Sequence, residues 1–174
     1  MRCELDESTL EVIKLLQDKN RKKQDKVERA KADKEAFTDS ANRFIAETIQ
    51  ILSPLNPYGI TCVKEPTDLT RDFGMGEITV QLEKLIVKEG VDIIIMLEPF
   101  NSHVDRYNGL RFQAIYSKTG PRTIVQNPPP FGEHMGWHMW MNEDDKSVDP
   151  KYLKIDKEGW MVIIKNHLLS EANS

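Results

Sequence analysis

The sequence has 174 residues and a formal net charge of −4, with 30% charged and 39% hydrophobic side chains, which suits one domain with or without an extension. Nine glycines, nine prolines and two cysteines exclude collagen-like and disulfide-scaffold chains. The acidic balance disfavours a molecule-wide field for nucleic acid.

No glycine or proline occurs before Pro54, after which Pro54, Pro57 and Gly59 arrive together. Helix breakers are therefore absent up to Ser53 and concentrated just beyond it. Asp6 or Ser8 is the expected N-cap, with Glu11 completing a capping box with Ser8. A single helix over this stretch, about 70 Å long, is too long for the following domain to bury. Its apolar stripe must meet another chain or fold back. With Ile13 at heptad position a, the seam takes Ile13, Asn20, Val27, Lys34, Ala41 and Thr48 at a, and Thr9, Leu16, Lys23, Ala30, Phe37, Phe44 and Ile51 at d. Self-association into a homo-oligomer is expected through Ile13, Leu16, Val27, Phe37, Phe44 and Ile51. Asn20 at an a position is of the type that fixes register. The alternative is two shorter helices joined by the polar stretch 18–25.

Residues 19–34 carry eight basic against three acidic side chains, and Arg21, Lys22, Lys23 and Lys26 could line a phosphate-binding stripe. Residues 1–53 as a whole balance eleven basic with eleven acidic side chains, as a solvated helix face does.

From Tyr58 the periodicity changes. Residues 58–64 form a strand candidate, and Ile78, Val80 and Leu82 alternate with polar neighbours, although helical spacing also fits this stretch. Residues 91–97 are apolar on both parities, as in a central strand covered on both faces. Residues 110–116 alternate again, and 122–126 close the set. Glu89-Gly90, Asn108-Gly109 and Thr119-Gly120-Pro121 supply the turns. The expected fold is α+β: a long N-terminal helix able to form a coiled coil, an antiparallel β-meander of about four to five strands, and a C-terminal helix. Pro128, Pro129 and Pro130 are expected to end the sheet, since proline donates no ladder hydrogen bond. Asp156 is positioned to cap the last helix, on which Trp160, Ile163, Ile164, His167 and Leu168 share a face. The chain thus divides into a helical stalk, 1–53, and a globular head, 54–174.

Two clusters bear on chemistry. Glu98, His103, Asp105, Glu133, His134 and His138 supply donors suited to a metal-dependent hydrolase. His134 and His138 lack the intervening Glu of a zinc-protease helix, and Gly132 and Gly136 flank His134. His103, His134 and His138 are therefore weak metal candidates, and no metal or other cofactor is expected. Phe131, Met135, Trp137, Met139 and Trp140 form an aromatic and methionine cluster suited to an adaptable partner surface, or to the core. Cys3 and Cys62 are too far apart for a metal knuckle.

The first residues turn acidic with no apolar segment, so no secretory signal is expected. The longest apolar run, 93–97, is far short of the ~20 residues of a membrane span. A cytoplasmic protein without membrane contact follows. Asp72-Phe73-Gly74 matches a kinase motif by letters alone, with none of its companions present. With no catalytic motif in the chain, the leading expectation is a non-enzymatic adaptor that self-associates through its helix and binds a protein or other macromolecule through its head. A metal-dependent enzyme using the 98–138 cluster and nucleic-acid binding through 19–34 are the alternatives.

Overall fold

The computed structural model describes residues 6–100, 111–116, 120–126, 136–142, 144–145 and 147–172. The breaker-free segment forms one helix, α1 (Glu7–Leu52), with no interruption at the polar stretch. Asp6 caps it: its Oδ1 accepts from the Thr9 amide at 2.7 Å and from the Ser8 hydroxyl at 2.7 Å. The chain continues as a 3₁₀ turn, Ser53–Tyr58, that contains Pro54 and Pro57. Gly59 ends it at φ +94°, a left-handed conformation that disfavours any side chain with a Cβ.

Burial divides α1 in two. Residues 7–36 are exposed or half-exposed, whereas Phe37, Ala41, Phe44, Ile45, Thr48 and Leu52 are buried against the chain's own sheet. The sheet follows in strict chain order: β1 (Ile60–Asp72), β2 (Glu77–Glu89), β3 (Asp92–Phe100), β4 (Arg111–Tyr116), β5 (Arg122–Gln126), β6 (Trp137–Trp140) and β7 (Tyr152–Lys154), each antiparallel to the next. Helix α2 (Lys157–Ala172) closes the fold, capped as expected by Asp156, whose Oδ1 accepts from the Gly159 amide at 3.0 Å.

The sheet therefore has more strands than the four to five expected and does not end at residue 126. Strands β6 and β7 have four and three residues, too short to display a period. Within β6, residues of both parities are buried, so alternation is erased. The prolines 128–130 and the Asn108-Gly109 turn lie outside the described residues. The helical alternative at 78–86 gives way to strand: Leu85 and Val87 point into the core, and Ile86 between them is buried as well. Val91 sits in the β2–β3 turn, 90% exposed, rather than in the central strand.

Strand β2 pairs with β3 only over residues 85–89, with a bulge at Val87/Lys88. The rest of the β1–β2 hairpin extends beyond β3 as a two-stranded arm. That arm runs back along α1, and just past β1 the Phe73 ring meets Phe37 edge-on at 5.5 Å, with the Arg71 guanidinium 4.8 Å from the Phe37 centroid. Deeper in, Phe44 packs on Phe112 at 4.8 Å and on Trp137 at 4.6 Å. The head's core thus includes the last four turns of α1 as well as residues after Pro54.

Burial pushes the Cys62 thiol up to about 11. Native Cys62 should therefore alkylate slowly at pH 8, and its rate should rise roughly tenfold per pH unit toward 11 because only the thiolate attacks. Mass mapping of iodoacetamide-labelled peptides separates Cys62 from Cys3. A rate at pH 8 equal to that of the urea-unfolded chain would refute the expectation.

Candidate functional site

The face of the sheet that α2 covers holds a cavity of about 330 Å³. Its apolar wall comes from Ile94 of β3, Met139 of β6, Leu153 of β7, and Val162 and Ile163 of α2. The β2–β3 bulge is local to this wall, since Ile94 is the extra residue opposite Val87/Lys88. Polar groups enter from Tyr116, Arg122, Asn166, His167 and Ser170. The Tyr116 hydroxyl donates to Met139 Sδ at 3.1 Å, and burial pushes this phenol up to about 12, with Arg122 opposing. Arg122 Nη1 is held by Asp144 Oδ2 at 2.7 Å. The Ser170 hydroxyl donates to the His167 carbonyl at 2.7 Å, an internal helix contact rather than a nucleophile facing a base. The cavity is suited to an apolar side chain or small amphipathic molecule.

At the rim, His167 Nε2 lies 3.1 Å from Glu89 Oε2 and 3.8 Å from Glu171 Oε1. The imidazole side chain is only 9% exposed, whereas the two carboxylate side chains are 35% and 42% exposed. Sequence reasoning placed His167 on the helix's apolar face and passed over this group. The available signal was the four-residue spacing of His167 and Glu171, which puts both on one side of a helix. On the same helix Trp160, Ile163 and Ile164 are buried as expected, but Leu168 is exposed.

The aromatic and methionine cluster is split by strand alternation. Trp137 and Met139 face the helices and are buried in the core. The Trp140 side chain is on the other face, half-buried, with its indole N–H donating to Asn142 Oδ1 at 3.2 Å. Phe131 and Met135 lie outside the described residues, as do His103, Asp105, Glu133 and His134. Of the expected donor cluster, the described members are Glu98 on β3 and His138 on β6. Three strand spacings, about 14 Å, separate their strands, too far for one ion to bridge. His138 is buried, its Nδ1–H donates to the Gly136 carbonyl at 3.1 Å, and desolvation pulls its pKa below the ordinary imidazole value.

On α1, Ile13, Leu16 and Val27 belong to the exposed half, while Phe37 and Phe44 are in the head's core and Ile51 packs against it. Two of the six expected seam residues are thus fully committed within the chain. The basic residues Arg21, Lys22, Lys23 and Lys26 are exposed, and Arg21 pairs with Asp18 at 3.0 Å. Among the described residues no helix is long and apolar enough to cross a membrane. No family model matches the sequence, and neither a curated protein nor a solved structure is significantly similar to it.

Proposed function

We propose that the chain is a non-enzymatic, cytoplasmic interaction protein that self-associates through the projecting half of α1 and offers its α+β head to a macromolecular partner. The observation that carries this reading is the apolar band at the free end of the helix. Leu10, Val12, Leu15 and Leu16 are exposed there, with Leu16 at 53%, and Ile13 lies among them. Most helical stability in proteins comes from packing of an apolar face, and burying each such side chain stabilises by about 1.5–3 kcal/mol. A second copy of the chain is the favoured occupant, because Leu16, Asn20 and Val27 continue the heptad phase that Ala41 and Phe44 satisfy inside the head. The balance of eleven acidic and eleven basic side chains over 1–53 also suits like meeting like.

The test is solution mass. The wild-type chain should be a dimer or larger at tens of micromolar by light scattering. Ile13→Asp with Leu16→Asp should weaken assembly by about a hundredfold or more, since each buries an unpaired charge, and leave the head's thermal transition in place. A monomeric wild type would refute the reading. Phe37 and Phe44 are unsuitable for this test, because a charge at either enters the head's own core.

A further inference from the structure

We propose that Glu89, His167 and Glu171 form a binding site for one divalent transition-metal ion, zinc foremost, at the rim of the cavity under α2. This goes beyond self-association and uses none of the 98–138 cluster. Glu89 is the last residue of β2, at a turn tied down by the Gly90 amide donating to the Gly59 carbonyl at 3.0 Å. His167 and Glu171 stand one turn apart on α2, so two packed elements aim three side chains at one point.

The spacing fits an ion. Each residue offers one donor atom, and the three lie within 4.8 Å of one another, with 3.1 and 3.8 Å for the two pairs that include the imidazole. Tetrahedral bonds of about 2.0–2.2 Å require donors roughly 3.3–3.6 Å apart. The adjustment falls on the carboxylate ends, which reach solvent, while the imidazole is held by burial. One nitrogen and two carboxylate donors suit zinc, manganese or ferrous iron; calcium demands six to eight oxygens. Three protein donors leave a fourth position open, the pattern of reactive rather than purely structural zinc sites. Because His167 also lines the cavity, a ligand with an apolar body and an anionic end could reach such an ion.

The test is zinc titration of the chelator-stripped full-length protein against a competing chromophoric chelator. One ion per chain should bind. Glu89→Gln and Glu171→Gln should each weaken binding at least about tenfold, and His167→Gln about a hundredfold or more, since each removes a ligand. His138→Gln should leave binding unchanged. Zinc should also raise the melting temperature of the wild type and not of His167→Gln. If His167→Gln does not fold, the two partly exposed glutamates decide. Absence of saturable binding, or affinity equal to wild type in both glutamate variants, would overturn the site and leave a histidine–carboxylate hydrogen bond.

Discussion

Phe44→Ala should lower the unfolding free energy by about 3–5 kcal/mol, the range for deleting a fully buried aromatic ring. Phe44 is 2% exposed and touches both Phe112 and Trp137, so its loss opens a cavity where α1 meets β4 and β6. Backbone on both sides is fixed by helix and ladder hydrogen bonds and cannot collapse into the void. Urea unfolding followed by tryptophan fluorescence reads the change, since Trp137 is 4.6 Å away. Performing it in the Ile13→Asp, Leu16→Asp background removes any contribution from assembly. A loss under about 1 kcal/mol, smaller than any usual large-to-small core change, would mean that Phe44 does not belong to the head's core.

Gly159→Ala should destabilise by roughly 1–3 kcal/mol, the usual cost of overpacking, although helix propensity alone predicts a gain of about 1 kcal/mol. Gly159 lies in the first turn of α2, and a Cβ built there collides with the Lys154 carbonyl oxygen, with the carbonyl carbon at 3.0 Å. The obstacle is backbone at the end of β7 and cannot rotate away. The neighbouring Trp160 is fully buried, so a shift of the helix start would disturb the core. Thermal unfolding of Gly159→Ala decides between the two signs. A variant more stable than wild type would show that the β7–α2 junction relaxes freely.

The helix, its cap and the first five strands were legible because each carries its own local signal: a breaker-free run, an Asp with free lone pairs, alternating parity, a turn glycine. What a stripe packs against was not legible. Phe37 and Phe44 satisfy the heptad as well as Ile13 and Leu16 do, because a coiled-coil seam and a helix lying on a sheet call for the same spacing. The tertiary contacts separate the two cases: the hairpin arm brings Phe73 back to Phe37, and Phe112 and Trp137 close on Phe44. Strands β6 and β7 were hidden by shortness. The Glu89–His167–Glu171 group was hidden for another reason: its members are 78 and 4 positions apart, and only the helix pair leaves a mark on the sequence.

The hairpin arm has a mechanical consequence. A helix leaving a domain through a single loop pivots; this one is gripped along its flank from Leu52 back to Phe37. Its direction is thereby fixed relative to the head, and residues 16–37 become a spacer of about 32 Å at ~1.5 Å per residue. Joined near Leu16, two such chains would hold their heads at a set reach from the junction, so the stalk would act as a ruler and pass a pull at its tip to the sheet instead of absorbing it by bending.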